Sequence, residues 1–275
     1  MSPAVPHPDQ PPARLLVVDF DFFFPNPHDA GASDTRSLRL YDWGHAETRI
    51  HREVIWPARA AAFTFEGVPL PRCEPTDGFW ARFTFDTDLL LVADSNAYAG
   101  PLAWEGEYAK VVLFDAHHDS GYRHGYADYL TTGQFTCEDW TYPHHEAGAA
   151  ITVRYPRWRH EWRRLEPTTG IPVNRCTDDG GPLTGMFTTV FACRSGGWVP
   201  PWCDDQCSSS STPSPAPWSA SILIYGPVGA TSAQTQRAPC HAPGNPFRDG
   251  PAHSRTGHKV VVKGTSLNLN PIAEP

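Results

Sequence analysis

Two apolar runs that each end in a group of carboxylates constrain the fold of this chain more than any other feature. Leu15–Val18 is followed by Asp19-Phe20-Asp21, and Val111–Phe114 is followed by Asp115-Ala116-His117-His118-Asp119. A short continuous apolar run is typical of a strand buried on both faces, as in a parallel sheet. The pattern therefore predicts two parallel strands that carry their polar chemistry at the carboxyl end.

Further strands and helices alternate along the chain. The other predicted strands are Asp88–Ala93, Ile151–Val153 and Val190–Cys193, and the predicted helices are Glu53–Phe65, Gly100–Tyr108 and Arg157–Leu165. This alternation predicts an α/β fold in which helices flank a mostly parallel sheet. Ligands of such sheets bind beyond the carboxyl ends of the strands, so we expect the acidic groups to gather at one edge. We expect His144 and His145 on a surface turn after Pro143.

The composition divides the chain into three segments. We expect a flexible N-terminus over residues 1–13, the α/β domain over residues 14–206 and a disordered tail over residues 207–275. In the tail 26 of 69 residues are Pro, Ser or Gly, and such a segment buries too little apolar surface to offset its ordering entropy. The short apolar run Ile222–Tyr225 could at most add an edge strand.

Charge and cysteine usage exclude several classes of protein. The chain has 22 Lys and Arg against 30 Asp and Glu, a formal charge of −8, which argues against general nucleic-acid binding. No apolar run reaches the roughly 18 residues of a membrane span, and no secretory signal is visible at the N-terminus. Seven irregularly spaced cysteines favour reduced thiols. We expect a cytoplasmic protein whose partner is a small-molecule substrate.

The carboxylates themselves predict a metal centre. Asp115, His117 and Asp119 alternate, so an extended backbone beyond Phe114 would turn them to one side, and Asp19 and Asp21 would do the same. Several carboxylates brought together repel each other strongly unless a cation compensates them. Oxygen ligands with one or two imidazoles suit Mn²⁺, with Fe²⁺, Co²⁺ and Zn²⁺ as competitors. With five or six ligands, a pair of metals is expected.

These motifs resemble those of a known family. Asp115-Ala116-His117-His118-Asp119 is similar to the Asp-Ala-His-x-Asp metal motif of the arginase/agmatinase (ureohydrolase) superfamily, and Asp19-Phe20-Asp21 is similar to its Asp-x-Asp motif. The chain also resembles an uncharacterised arginase-like branch, through Asp19–Phe23 and through the Glu138-Asp139-Trp140 segment. The two metal motifs stand in the reverse of the arginase order, which a circularly permuted sheet would allow.

The resemblance implies an α/β fold, a binuclear manganese site and hydrolysis of a C–N bond in an amide- or amidine-like small molecule by a metal-bridging hydroxide. The ligands that it implies, including a histidine from a third segment, are Asp19, Asp21, His45, Asp115, His117 and Asp119. The third aspartate of the arginase pattern and its guanidinium-anchoring glutamate have no counterpart, so arginine is not expected as the substrate.

Four other residues are candidates for substrate and proton handling. We expect His118 or Glu47 to carry a proton to the leaving nitrogen. Arg194 is a candidate for binding a substrate carboxylate. Asp94 ends a predicted strand and either faces the site or caps the next helix.

Two other functions remain open at this stage. In a phosphatase of the haloacid-dehalogenase type, Asp19 would be the nucleophile and Asp21 the general acid, but that mechanism needs a lysine at the phosphoryl site. Lys110 is the only lysine before residue 259, and it precedes its strand. The chain could also be a non-catalytic arginase-like binding module.

Overall fold

A parallel sheet forms the centre of the fold. The computed structural model describes residues 12–25, 51–87, 89–122, 124–159 and 166–206, together with four short strands in the last 56 residues. In chain order the strands are β1 (Ala13–Asp19), β2 (Thr84–Phe85), β3 (Leu89–Ala93), β4 (Tyr108–Phe114), β5 (Gln134–Phe135), β6 (Ala150–Tyr155), β7 (Asn174–Thr177), β8 (Met186–Phe187), β9 (Thr189–Cys193), β10 (Ala220–Ile224), β11 (Thr235–Gln236), β12 (Val260–Val261) and β13 (Ser266–Leu267).

Seven of these strands form the main sheet. Their order is β10-β3-β9-β1-β4-β6-β7, and every pairing between neighbours is parallel. Strand β1 lies at the centre, where Leu16 is level with Val112 of β4 and Val190 of β9. The carboxyl ends of β3, β9, β1 and β4 therefore lie side by side at one edge of the sheet.

In the part of the chain that the structure describes, four helices and several shorter turns cover the sheet. The helices are α1 (Trp56–Phe65), α2 (Leu102–Glu105), α3 (Tyr126–Thr132) and α4 (Tyr142–Glu146). A π-helical turn, His51–Ile55, precedes α1, and 3-10 turns span Phe20–Phe23, Trp80–Arg82, Asn96–Ala99, Arg157–Arg159 and Pro201–Cys203. Among the described residues, no helix combines the length and apolarity that crossing a membrane requires.

Alternate residues of the central strands pack into two hydrophobic layers, one on each face of the sheet. Leu16 and Val18 of β1 face a layer that contains α1 and a group of phenylalanines around Phe114. Leu15 and Val17 face the opposite layer, built on the aromatic residues of α3 and α4. All four side chains are at most 2 % exposed. The continuous apolar run thus reflects burial on both faces of the sheet, as the sequence indicates.

The α/β fold with a parallel sheet is confirmed, although several boundaries differ from the predictions. The helix predicted over Gly100–Tyr108 is a single turn, because Gly106 is extended and β4 begins at Tyr108. Of the helix predicted over Arg157–Leu165, the described part is the 3-10 turn Arg157–Arg159. The surface turn predicted for His144 is wrong: Pro143 is the second residue of α4, His144 lies within that helix, and His144 is 1 % exposed.

Most of the tail lies outside the described residues, so its disorder stays a prediction. The apolar run near Ile222 forms the edge strand β10, which pairs with β3 from Ala220↔Leu89 to Ile224↔Ala93. The sequence allows an edge strand at this place, and the sheet of the α/β domain thus extends by one strand into the tail.

His144 makes the stability of the fold depend on pH. Its Nε2 contacts the Ala99 carbonyl at 2.9 Å, and burial lowers its pKa from 6.5 to about 4. As the pH falls from 6.5 towards 4, His144 gains a proton in the unfolded chain but not in the folded chain. The free energy of unfolding therefore decreases over this range. We expect His144→Gln, which keeps an amide donor for Ala99, to weaken this dependence by up to about 1.4 kcal/mol per pH unit.

The measurement is the free energy of unfolding by urea between pH 7 and pH 5, in the presence of a chelator. His145→Gln is the matched control, since His145 is only half-buried, and it should keep the wild-type slope. Equal slopes in wild type and His144→Gln would show that His144 is not the group responsible.

Candidate metal centre

The end of β1 places two carboxylates at the carboxyl edge. Asp19 is the last residue of the strand and caps the 3-10 turn Phe20–Phe23, since its Oδ1 accepts a hydrogen bond from the Asp21 backbone N–H at 3.0 Å. The backbone therefore turns directly after Asp19, and the expectation of an extended chain there is wrong. Both side chains are 5 % exposed, and both lie against the loop that follows β4.

The loop after β4 supplies the other predicted ligands by bending. Asp115 Oδ1 accepts a hydrogen bond from the His117 backbone N–H at 2.7 Å, and Asp119 adopts a left-handed backbone conformation with φ of 46°. The loop is therefore not extended, and alternation is not what turns Asp115, His117 and Asp119 to one side. Their predicted convergence is nevertheless present, because the bends direct all three side chains towards β1.

One group of donors, which we call the histidine set, consists of Asp21, Asp115 and His117. One ligand atom from each lies within 4.8 Å of the others. His117 Nδ1 is 2.8 Å from Asp21 Oδ2 and 3.5 Å from Asp115 Oδ1. The Ala116 backbone N–H donates to Asp21 Oδ1 at 3.1 Å. Two carboxylates and an imidazole in this arrangement match the ligands that divalent transition metals take.

A second group, the amide set, consists of Asp19, Asp115 and Asp119. The Oδ2 atoms of these three residues surround the side-chain nitrogen of Asn96, at 2.6, 3.1 and 2.9 Å respectively. Asn96 follows β3, so the set joins the carboxyl ends of three strands. Asp115 belongs to both sets: Oδ1 faces His117 and Oδ2 faces Asn96. The two oxygens of Asp115 therefore contact different sets.

Burial and mutual repulsion raise the pKa of three of the four carboxyl groups. Desolvation raises that of Asp119 to about 7. The pKa values of Asp19 and Asp115 are also raised well above the usual range. Desolvation is the largest cause, and repulsion by the neighbouring carboxylates is the next. Burial alone would also raise the pKa of Asp21, but the hydrogen bond and charge of His117 lower it.

The site therefore requires either protons or cations to compensate its charge. One imidazole can offset one of four carboxylates, and the remaining three sit in an environment that disfavours the ionised form. Divalent cations would supply that compensation. The residues present thus fit a metal centre by the chemistry of their donors, by their number and by the sharing of Asp115.

The Glu138-Asp139-Trp140 segment reaches this site from the sequence region that the resemblance indicates. Trp140 Nε1 donates to Asp119 Oδ2 at 2.8 Å, and Thr141 Oγ1 donates to the Asp119 carbonyl at 2.7 Å. Trp140 is fully buried. Both bonds hold Asp119 in its left-handed conformation, so this segment positions a predicted ligand.

His118 is turned away from the carboxylates and is fully buried. Its Nδ1 accepts the Ser120 backbone N–H at 3.0 Å, and its ring stacks on Tyr122 with 4.2 Å between centroids. Desolvation lowers its pKa to about 4. The proton-carrying role of His118 stays a prediction, and these contacts favour a structural role.

Tyr122 links the loop after β4 to the buried carboxylate of Glu166. Its hydroxyl donates to Glu166, and the Tyr155 hydroxyl donates to the same carboxylate. Arg159 completes the group, since its Nη2 lies 3.2 Å from Glu166 Oε1. The Glu166 side chain is 2 % exposed. Glu166 therefore anchors the loop that carries three candidate ligands.

His117 marks the open side of the site. Its side chain is 18 % exposed, whereas the four carboxylates are nearly inaccessible. The Trp198 ring lies 5.2 Å from the His117 ring and the Tyr122 ring 6.2 Å from it. Two aromatic rings therefore lie close to the most exposed of the candidate ligands.

The remaining predicted site residues have different positions. His45 and Glu47 lie outside the described residues. The Arg194 guanidinium is engaged by the Asp204 carboxylate, with Nε at 2.8 Å, and by the Val199 carbonyl at 2.8 Å, so these contacts favour a role in holding its loop. The Asp94 carbonyl accepts a hydrogen bond from Gly196. The cap of the turn after β3 is Ser95, which disagrees with a capping role for Asp94.

Sequence reasoning missed Asn96. It stands two residues beyond Asp94, and it is this side chain that contacts the carboxylates. The signal that could have indicated it is its position directly after a buried strand, where Asp19 and Asp115 also occur.

Comparisons of the chain with protein-family models, with curated proteins and with solved structures find no match. These comparisons therefore assign neither a family nor a function to the chain.

The repulsion in the amide set predicts opposite effects of one substitution with and without metal. In chelator at pH 8, we expect Asp119→Asn to unfold with a free energy at least equal to that of wild type, because one buried charge is removed while an oxygen remains for Trp140. With Mn²⁺ added, its gain in stability should fall short of the wild-type gain by about 1.4 kcal/mol for each tenfold loss of affinity.

The control is Asp128→Asn, which removes an exposed carboxylate on α3 and should leave the Mn²⁺-dependent gain unchanged. An Asp119→Asn protein that gains as much from Mn²⁺ as wild type would contradict the assignment of Asp119 to a metal site.

Proposed function

We propose that this protein is a divalent-metal-dependent hydrolase with a binuclear centre, and that it acts on a C–N bond of an amide- or amidine-like small molecule. The observation that carries the proposal is the division of Asp115 between the histidine set and the amide set. A carboxylate with one oxygen in each of two three-donor groups supports two cations rather than one. Mn²⁺ suits donors that are mostly oxygen with one imidazole.

The bound cations would supply Lewis acidity and an activated water, the chemistry that hydrolysis of an unreactive C–N bond needs. The chain's own residues provide the surroundings. Asp21 holds the imidazole of His117 in place, and Trp140 holds Asp119. The rings of Trp198 and Tyr122 lie near His117.

The choice of a C–N bond depends on the resemblance of the two aspartate motifs to the arginase/agmatinase superfamily. The aromatic pair beside His117 supports it, because a planar amidine or amide group stacks well on an indole or phenol ring. Membership of the superfamily is part of the proposal. The pairing of β1 with β4 supports it, since these strands place the two motifs together whatever their order in the chain.

The phosphatase alternative receives less support from the geometry. In that alternative, Asp19 would be the nucleophile and would need a lysine nearby to neutralise the phosphoryl group. Lys110 is level with Arg14 near the start of β1, at the opposite end of the strands from the carboxylates. No lysine of the described residues lies at the carboxyl edge.

The experiment combines metal content with turnover. Protein freed of metal by chelation should bind two Mn²⁺ per chain, and a panel of amidines, guanidino acids, ureides and N-acyl amines should include compounds that release ammonia, urea or an amine only with Mn²⁺ present. In Asp115→Asn we expect the affinity for both ions to fall by at least about tenfold. Loss of a residue that only supports a metal ligand already costs about that much, and Asp115 is proposed as a ligand itself. Asp128→Asn should behave as wild type.

Three results would overturn parts of this account. Absence of bound Mn²⁺ would remove the metal centre itself. One ion per chain, unaffected by Asp115→Asn, would remove the bridging role. Two bound ions without turnover of any compound in the panel would favour the non-catalytic binding module.

A further inference from the structure

Asn96 enters the site from a third strand and is fixed there by its own turn. It is the first residue of the 3-10 turn after β3, and the Ser95 hydroxyl caps that turn by accepting the Ala97 backbone N–H at 3.1 Å. The Asn96 side chain is 2 % exposed. Its position is therefore set by β3 and by the cap, independently of β1 and β4.

The amide of Asn96 has more acceptors on one side than it can satisfy. Its nitrogen carries two hydrogens, yet three carboxylate oxygens lie within 3.1 Å of that nitrogen. The amide thus occupies the point at which Asp19, Asp115 and Asp119 converge. A neutral donor there offers only a partial positive charge to three carboxylates.

The other end of the same amide is unsatisfied. Asn96 Oδ1 is buried and, among the described residues, meets no hydrogen-bond donor. A buried carbonyl oxygen without a partner is uncommon in folded proteins, and it calls for an unseen partner. The oxygen belongs to an amide whose nitrogen already touches all three carboxylates of the amide set, so a half-turn of the amide would bring the oxygen to them.

We infer that Asn96 is a metal ligand contributed by β3, and that it binds through Oδ1 the cation held by Asp19, Asp115 and Asp119. Without the cation, the amide nitrogen faces the carboxylates and substitutes for the missing charge. With the cation, rotation about the Cβ–Cγ bond presents the oxygen, a neutral ligand that suits a cation with oxygen preference. This inference depends on the proposed metal centre. It assigns the third-segment ligand to Asn96, whether or not His45 contributes.

Two substitutions separate a ligand from a residue that only arranges the carboxylates. Asn96→Asp keeps an oxygen and loses the amide hydrogens, so it should lower the melting temperature in chelator by several degrees, through a fifth carboxylate. With Mn²⁺ it should recover wild-type stability and bind Mn²⁺ at least as tightly as wild type. Asn96→Ala has no ligand atom, and its affinity for one of the two ions should fall by at least about tenfold.

The measurements are Mn²⁺ titration followed by calorimetry and by the electron paramagnetic resonance of free Mn²⁺, with melting curves in chelator and in Mn²⁺. Each variant is purified with Mn²⁺, and a portion is then treated with chelator. If Asn96→Asp is too unstable without metal, the Mn²⁺ portion still gives a melting curve. Asn174→Asp adds the same charge at an exposed position of β7 and should leave the Mn²⁺ response unchanged.

The possible results test the ligand role of Asn96 separately from the proposed metal centre. Wild-type Mn²⁺ affinity in Asn96→Ala would overturn the ligand role while the metal centre stands. Weakened binding in Asn96→Asp as well as Asn96→Ala would also overturn it, because the amide hydrogens and not the oxygen would then matter. Failure of the wild-type protein to bind Mn²⁺ would overturn the proposed function itself.

Discussion

The gathering of four nearly inaccessible carboxylates and one imidazole at the carboxyl edge of the sheet is the constraint on which the rest of this structure depends. The parallel pairing of β1 with β4 creates it, since both strands end in acidic motifs at the same edge. Left alone, such a group would protonate or push its loops apart. Backbone N–H groups, the Asn96 amide and the Trp140 indole donate to the carboxylates, which partly offsets that repulsion. The proposed metal centre would account for the negative charge that is kept there.

The surroundings of the site are rigid on the buried side and aromatic on the open side. Glu166, deep behind the loop, accepts hydrogen bonds from Tyr122 and Tyr155, so the loop that carries Asp115 and Asp119 is fastened at its far end. On the open side, Trp198 lies against His117. In the proposed metal centre, the carboxylates would thus be largely positioned before a cation binds, which reduces the loss of conformational entropy on binding.

The sequence predicts the fold well, and it predicts that the acidic residues after β1 and β4 meet at one edge of the sheet; their role as ligands stays a prediction. The apolar runs before Asp19 and Asp115 identify two central strands, and the parallel arrangement then requires their carboxyl ends to meet. The route by which the side chains converge was not predictable from alternation. A cap at Asp19 and a left-handed Asp119 produce it. The cap is a local hydrogen bond from the Asp21 N–H, whereas Asp119 accepts hydrogen bonds from the distant residues Trp140 and Thr141.

Other features needed tertiary information. The burial of His144 depends on the packing of α4 beneath Trp140 and Tyr108, which a dipeptide of histidines after proline does not reveal. Asn96 has no motif of its own, and its importance appears only when β3 is placed two strands from β1. Conversely, the positions predicted at His45 and Glu47 fall outside the described residues, and their roles stay predictions.

Anomalous diffraction from crystals grown with Mn²⁺ tests the central claim most directly. The account predicts two anomalous peaks per chain, about 3.5–4 Å apart as in other two-metal sites, with one oxygen of Asp115 towards each peak. A single peak that Asp115 does not touch, or no peak near the ends of β1 and β4, would contradict it.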